Sequence, residues 1–396
     1  MVPLLGISTI LLAAFLLSKD RRAINWRIVA WGLSLQVLLG LFVLRTGLGY
    51  WLMGKCSAAV QWVLSFSFKG SEFVFGPLGD PKGSAGFIFA FQALPLIIYV
   101  ACLMSIFSYL GILPALVKLV GRLMSRLMGT SGAESLEVAA SIFMGQTEAP
   151  LVIRPYLEKL TQSELMTIMT AGMAHIAGSV LGAYILFGAE PRHLLTAVVM
   201  TAPGTLLISK MLNPETERAA TAGDAKLELE KAGVNLLDAA ARGVTDGLFL
   251  ALNVAAMLVA FIALVYLANG VLGAIHTDLQ TVFGFALAPV AWVLGVPWQD
   301  AKAVGNLMGV KVVLNEFVAF SMLGPLKGQI AERSFTIATY ALCGFANFGS
   351  IGIQIGGIGA LAPSRKQDLA RLGFRAMLAG TMANYLAAAI AGLLLN

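Results

Sequence analysis

Apolar segments, each about as long as a membrane-spanning helix, follow one another along most of this 396-residue chain. A helix needs about 20 mostly apolar residues to cross the hydrocarbon core of a bilayer. Only 12% of the residues are charged, about half the share of an average soluble domain. So few charged residues cannot cover the water-facing surface of a soluble protein of this size. A soluble, disordered or fibrous protein is therefore excluded, and an all-α polytopic membrane protein is predicted. The segments are 2–17, 28–45, 86–112, 162–188, 193–212, 248–275, 280–297, 333–360 and 370–395.

The charges indicate orientation more than binding partners. The net charge is +6 without a block of like charges, so nucleic acid is not an expected partner, whereas excess positive charge is typical of cytoplasmic loops. Basic residues at 19–27 place the first connection inside and the N-terminus outside. Segment 2–17 is expected to be a transmembrane helix rather than a removed signal peptide. Cys56, Cys102 and Cys343 lie far apart in apolar contexts, so no disulfide or metal framework is predicted.

Two segments have a mixed or polar character. Residues 48–66 combine tryptophan and polar residues with apolar ones, which favours a helix lying in the membrane interface. Residues 214–242 form the longest polar stretch and are expected to be a solvated loop that divides the chain. Its charged residues include Glu215, Glu217, Asp224, Lys226, Glu228, Glu230 and Lys231.

Residues 131–157 and 300–324 share an unusual pattern: two short apolar halves flank a polar centre. This pattern predicts re-entrant helical hairpins, which are tolerated at membrane depth only where protein or a watery cavity surrounds them. Each hairpin precedes a span interrupted by small and polar residues, at 175–179 and 346–352, and then a third span. Paired interrupted segments in two halves of a chain are typical of transporters and indicate the binding site.

The first polar centre contains Glu148, preceded by Gln146 and Thr147. A carboxylate near the bilayer centre costs about 2.5–3.5 kcal/mol on insertion scales, so it is expected to have a function there. The three side chains suit hydrogen bonding to the edge of a polar heterocycle. In the alternative interpretation they tie down the loose backbone of the hairpin tip.

The second polar centre contains Glu316, which as a carboxylate can accept from two neighbouring hydroxyls of a sugar. Its alternative role is an ion pair with Lys311 or Arg154. Asn347 and Ser350, three residues apart, can point the same way on a helix, although such residues also mediate helix packing in membranes. Phe345, beside them, is a candidate for stacking on a ring.

His175 lies in the first interrupted span. Imidazole changes protonation between pH 5 and 8, so a proton carrier and a packing residue are both open interpretations. The sequence has no phosphate-binding loop, paired-His metal motif, Gly-x-Ser-x-Gly elbow or Cys-x-x-Cys. An enzyme using Glu148 and Glu316 as an acid–base pair is therefore disfavoured.

Three motifs, GQTEAPLVIRPYL at 145–157, NEFVAF at 315–320 and ALCGFANFGSIG at 341–352, resemble those of the concentrative nucleoside transporters. The resemblance runs over the whole chain. It implies a homotrimer whose protomers have about eight spans, two hairpins in an inverted repeat and a transport domain that moves like an elevator. A nucleoside would be imported with a cation, and segment 280–297 would belong with the second hairpin. A bacterial inner membrane is the expected location.

The resemblance also implies domains and site residues. Scaffold regions are expected at 1–112 and 214–275, and the two repeats of the transport domain at 113–213 and 276–396. Gln146, Thr147, Glu148, Val180, Leu250 and Phe345 would surround the nucleobase, and Glu316, Asn347 and Ser350 would bind the ribose.

A cation site is implied at Ser141, Met144, His175 and Ile176. Sodium-coupled members of the family have Asn where this chain has Ser141, and Ser where it has His175. Two oxygen ligands are thereby lost, so proton coupling is considered beside sodium coupling, with His175, Glu148 or Glu316 as carriers. No cofactor other than this co-transported H+ or Na+ is expected. The alternatives are an elevator-type carrier of an amino acid or carboxylate, and a passive channel.

Overall fold

The computed structural model describes residues 2–81, 83, 86–222 and 233–395. Within these ranges the chain is built from helices and has no β-strand, as predicted. Asp224, Lys226, Glu228, Glu230 and Lys231 of the polar stretch lie outside the described residues. The α-helices are α1 (Val2–Leu16), α2 (Trp26–Arg45), α3 (Gly47–Phe75), α4 (Phe89–Tyr109), α5 (Ile112–Met128), α6 (Gly132–Ser141), α7 (Gln162–Ala174), α8 (Gly178–Leu186), α9 (Pro191–Leu212), α10 (Leu236–Leu272), α11 (Leu279–Val293), α12 (Trp298–Val313), α13 (Glu316–Leu323), α14 (Glu332–Leu342), α15 (Phe348–Leu361) and α16 (Lys366–Leu394).

Six spans in the described part of the chain are long and apolar enough to cross a membrane, counting α7 and α8 together, and a bent helix pair raises the number to seven. That pair is α11 and α12, which meet at 116° and pack along each other. Segment 280–297 thus lies with the second hairpin, as the resemblance implied. The span predicted at 248–275 was placed wrongly at its start, because α10 begins at Leu236, where Asn235 caps it.

Helix α3 covers the segment predicted to lie in the membrane interface, and it is longer than predicted. It contains 29 residues, and its Trp51 and Trp62 side chains are exposed. Helix α10 is the most apolar long helix, and only 6% of its most apolar window is buried. Its buried residues pack on α4, and the remaining faces of α3 and α10 are exposed apolar surfaces.

The first predicted hairpin is present, but its two arms differ. The first arm is α6, which begins with a capping box formed by Ser131 and Glu134. The second arm is a 3-10 segment, Ala149–Lys159, that is kinked at Ile153, so the predicted helical hairpin has one α-helical and one 3-10 arm. Pro150 and Pro155 explain the difference, since proline removes a backbone donor and disfavours a regular α-helix. In the second hairpin, α12 and α13, both arms are α-helical.

Both interrupted spans are broken helices. The first breaks between α7 and α8 at residues 175–177, as predicted. The second breaks at residues 343–347, slightly before the predicted 346–352, because Asn347 caps α15 and Phe348–Gly352 are already helical.

Helix α16 satisfies the backbone at both breaks. Asn384 Nδ2 donates to the carbonyl oxygens of Ala174 and Cys343 at 2.7 and 2.8 Å. Gly344 permits this approach, since a Cβ there would come within 2.6 Å of the Ala174 oxygen. The amide of Phe345 also donates to the His175 carbonyl oxygen across 3.2 Å. These hydrogen bonds join the two breaks and satisfy backbone groups that would otherwise lack partners at membrane depth.

Candidate functional site

The two hairpin tips and the two helix breaks surround one cavity of about 450 Å³. Helix α10 supplies the facing wall. The structure brings into this cavity all nine residues predicted around a nucleobase and a ribose, which are Gln146, Thr147, Glu148, Val180, Leu250, Phe345, Glu316, Asn347 and Ser350. Their proximity is observed, while their individual roles stay predictions.

Glu316, at the second hairpin tip, is almost completely buried, at 5% exposure. It begins α13, directly after the capping residue Asn315. Its Oε1 accepts from the Tyr184 hydroxyl at 3.1 Å and its Oε2 accepts from Asn347 Nδ2 at 3.2 Å. The Lys311 ammonium does not pair with Glu316 but donates to the Ala341 carbonyl oxygen and to Asn384 Oδ1, both at 2.8 Å.

Asn347 fixes its own amide orientation. Its Oδ1 accepts from the backbone N–H of Ser350 at 2.9 Å, which caps α15. Its Nδ2 therefore faces Glu316. The two polar residues predicted to point the same way thus form one continuous arrangement with the second hairpin tip.

The first hairpin tip is more open. Thr147 and Glu148 are exposed to the cavity and Gln146 is half-buried. Glu148 Oε2 accepts from the backbone N–H of Gly145 at 3.2 Å, so the carboxylate ties down its own tip and also lines the cavity. Gln146 Nε2 donates to Ser350 Oγ at 3.1 Å, which connects this tip to α15.

The apolar walls come from three different elements. Val180 lies on α8, Leu250 on α10 and Phe345 in the second helix break. Val180 is buried, whereas Leu250 and Phe345 are half-buried. A flat apolar ring fits between such side chains better than a flexible charged chain does.

The residues of the implied cation site lie around the first hairpin and the first break. Ser141 ends α6, and its hydroxyl donates to Glu137 Oε1 at 3.0 Å. His175 Nδ1 lies 3.0 Å from the Ala171 carbonyl oxygen, and no partner for Nε2 is found in the described part of the chain. Met144 is half-buried in the turn and Ile176 is buried in the break.

Sequence reasoning missed three residues around the cavity. Tyr184 binds Glu316, Asn253 lines the cavity from α10, and Gln354 binds Gln146. Gln354 carried a signal, since a glutamine within the apolar, glycine-rich α15 needs a hydrogen-bond partner. Tyr184 carried none, because a tyrosine in an apolar helix is ordinary.

Models of known protein families match three consecutive parts of the chain. The model of the Na+ dependent nucleoside transporter C-terminus matches residues 193–392, and the corresponding N-terminal model matches residues 5–78. Between them, a gate model described as nucleoside recognition matches residues 90–191.

The chain belongs to the concentrative nucleoside transporter family.

Relatives along the whole chain support this membership. The chain is 44% identical to the uncharacterized transporter YutK of Bacillus subtilis, over 98% of each protein. It is 39% identical to the nucleoside permease NupC of Helicobacter pylori, over 99% of this chain and 97% of that one. Sodium/nucleoside cotransporter 1 of Rattus norvegicus is 40% identical over 100% of this chain and 64% of its own length.

Solved structures of a concentrative nucleoside transporter have the same fold. CNTnw in an inward-facing substrate-bound state has a TM-score of 0.95 and 42% identity, covering 100% of this chain and 98% of that chain. A variant of CNTnw in an outward-facing state also gives a TM-score of 0.95 and 42% identity, over 99% of this chain and 97% of that chain.

Membership in the concentrative nucleoside transporter family gives the general activity. The chain is an all-α polytopic membrane protein and a symporter of nucleoside and cation, and it is not an enzyme.

Proposed function

We propose that this transporter accumulates nucleosides such as uridine by symport with a cation, in an elevator-type movement. One observation carries the proposal: a single cavity contains two carboxylates, one from each hairpin tip, at two different polar surfaces. A nucleoside has two polar parts of different chemistry, a base and a sugar, joined in one small molecule.

The ribose binds at the second tip. Both oxygens of Glu316 already accept from fixed donors, and a carboxylate has about four lone-pair sites, so two further hydroxyl donors can be accommodated. Asn347 and Ser350 complete this surface from α15. Hydrogen bonds to an ionised group are about twice as strong as neutral ones, which makes Glu316 the main anchor.

The base binds at the first tip. Gln146, Thr147 and Glu148 present donors and acceptors toward the cavity, and Val180, Leu250 and Phe345 enclose an apolar ring. This combination of a few polar groups with apolar walls is typical of small-molecule sites.

The cavity also supports the division into domains. Both hairpins and both broken helices would form the transport domain, at 113–213 and 276–396, and 1–112 and 214–275 would form the scaffold. Leu250 and its neighbours on α10 then belong to the scaffold and face a substrate held by the transport domain. Movement along α10 would change which side of the membrane the cavity opens to.

The assembly and location follow from the exposed surfaces and the charges. The exposed apolar faces of α3 and α10 would be covered by lipid and by neighbouring protomers of a homotrimer. The basic residues after α1 would lie inside a bacterial inner membrane, with the N-terminus outside.

The coupling ion is Na+ or H+. The family description favours Na+. The residues favour H+, since Ser141 provides one hydroxyl that already binds Glu137, and His175 stands where a hydroxyl would be. A sodium ion would depend on backbone carbonyls of Met144 and Ile176 and on water.

The competing carrier of amino acids or carboxylates is less compatible with the cavity. Its described lining contains Glu148 and Glu316 and no lysine, arginine or histidine. A carboxylate substrate would face two like charges without a cationic partner.

Labelled uridine uptake into proteoliposomes tests the proposal, with an imposed Na+ gradient in one sample and an imposed H+ gradient in another. Accumulation above the outside concentration under either gradient is expected, and the effective gradient identifies the ion. Protein-free liposomes are the control. Equilibration without accumulation would indicate a passive channel, and the absence of uptake would contradict nucleoside specificity.

A further inference from the structure

Gln354 is a completely buried polar side chain on α15, one helical turn after Ser350 and behind the cavity wall. Its Nε2 makes two hydrogen bonds, to the Met169 carbonyl oxygen at 3.1 Å and to Gln146 Oε1 at 3.3 Å. Both hydrogens of this Nε2 are thereby used, whereas no partner for its Oε1 is found among the described residues. The side chain thus connects α7, α15 and the first hairpin tip.

These two bonds define the orientation of the Gln146 amide. The Met169 carbonyl oxygen can only accept, so the NH₂ group of Gln354 must face it. The second hydrogen of that NH₂ group then faces Gln146, which must present its Oε1. Ser350 alone would not impose this orientation, since a hydroxyl can donate or accept.

We propose that Gln354 is a specificity-determining positioning residue that sets the order of donor and acceptor which Gln146 presents to the nucleobase. The inference rests on the proposed function, in which Gln146 contacts the base. Gln146 keeps one free Nε2 hydrogen and one free Oε1 lone pair for the substrate.

The positions of the Gln146 donor and acceptor matter because uracil and cytosine carry opposite hydrogen-bonding groups on the same edge of the ring. Uracil has an acceptor at O4 and a donor at N3, whereas cytosine has a donor at N4 and an acceptor at N3. A base whose ribose is held at Glu316 cannot turn over freely to match. A fixed amide therefore favours one of the two pyrimidine nucleosides, and a rotating amide accepts both.

The surrounding backbone leaves room for this arrangement. Gly172 on α7 lies against both glutamines, and a Cβ there would come within 2.9 Å of the Gln146 Cβ and would also collide with Gln354 Nε2. A larger residue at 172 would displace the donor. The contact between the two glutamines thus depends on a glycine in the facing helix.

The test compares uridine and cytidine uptake, as kcat/KM, in proteoliposomes containing the parent protein or Gln354→Met, which has similar length and no donor. The parent should prefer one nucleoside by about tenfold or more, since mismatched polar groups are left unpaired. Gln354→Met should reduce this ratio to within about twofold, because the amide can then rotate. Ser350→Ala should weaken uptake of both nucleosides and keep the parent ratio.

Gln36→Met is the matched control. Gln36 is equally buried and donates to the Met200 carbonyl oxygen at 2.9 Å, away from the cavity. Losing this bond should affect uridine and cytidine equally. If Gln354→Met does not reach the membrane in folded form, Gly172→Ala replaces it and should also lower the ratio.

The outcomes separate this inference from the proposed function. A parent ratio near one, or a parent ratio retained in the folded Gln354→Met or Gly172→Ala variant, would overturn the role of Gln354 while nucleoside transport stands. Absence of nucleoside uptake by the parent would overturn the proposed function and this inference together.

Discussion

The two hairpin tips carry the same kind of residue in opposite surroundings. Glu316 is 5% exposed, and each of its oxygens accepts from a donor on a different element. Glu148 is exposed to the cavity and accepts from Gly145 of its own tip. The carboxylate of the second tip is thus preorganised by other elements, whereas the carboxylate of the first tip is held only by its own tip and can adjust. A rigid carboxylate suits the constant part of a nucleoside, its sugar, and an adjustable carboxylate suits the variable base.

The largest effect is expected from Glu316→Gln. The amide keeps the shape but loses the charge and one acceptor, so two charge-assisted bonds to ribose hydroxyls are weakened, at about 1.5–3 kcal/mol for a bond to a charged group. Uridine kcat/KM should fall about 100-fold.

A series of 2′- and 3′-deoxyuridine provides the control for Glu316→Gln, since each should lose less on the substitution than uridine does. Unchanged uridine uptake by the variant would contradict the ribose assignment and remove the difference between the tips.

Glu148→Gln should have a smaller effect, about tenfold or less in kcat/KM, because the exposed carboxylate gains less from each bond than a buried one. The substituted amide can still accept from Gly145, so the tip keeps its local bond. The loss should differ between uridine, cytidine and adenosine, measured side by side. An equal loss for all three, as large as that of Glu316→Gln, would show that the tips are equivalent.

The sequence predicted the outline of this site because its signals are local. The polar centres at 148 and 316 and the small and polar residues of the two breaks can be read without knowing the fold. The donors that reach the two tips from distant elements cannot be read in this way. Tyr184 reaches Glu316 across 132 positions, and Gln354 reaches Gln146 across 208. These contacts depend on how the two repeats pack.

Two details of the fold also differ from what the local sequence pattern predicted. The hairpin at 131–157 was predicted from its apolar halves, but its second arm is a 3-10 segment. Pro150 and Pro155 are visible in the sequence, and each of them disfavours a regular α-helix in this arm. The second break was expected at 346–352, whereas Asn347 caps α15 and the helix resumes at Phe348.

Tyr184→Phe tests whether the rigidity of the second tip is imposed from α8. The ring stacks on Phe320 with centroids 4.4 Å apart, so the packing should survive the loss of the hydroxyl. Losing one donor to Glu316 should lower uridine kcat/KM about fivefold, corresponding to about 1 kcal/mol for one hydrogen bond. The factor should be the same for cytidine, measured in parallel, since the base is not involved. A factor that depends on the base would place Tyr184 in base recognition instead.

The smallest expected effect is on the pH dependence of uridine uptake, and it tests the difference between the two helix breaks beside the tips. In the second break both ends of the Asn347 amide are bonded, whereas in the first break no described residue reaches His175 Nε2. The free Nε2 is the position at which His175 would take up a proton. Uridine uptake by the parent should therefore change between pH 5 and 8, by a few-fold, and His175→Ala should flatten this profile.

His276→Asn, which removes an exposed imidazole, should leave the profile unchanged. A His175→Ala profile identical to that of the parent would make His175 a packing residue, and the first break would then differ from the second only in how it is held.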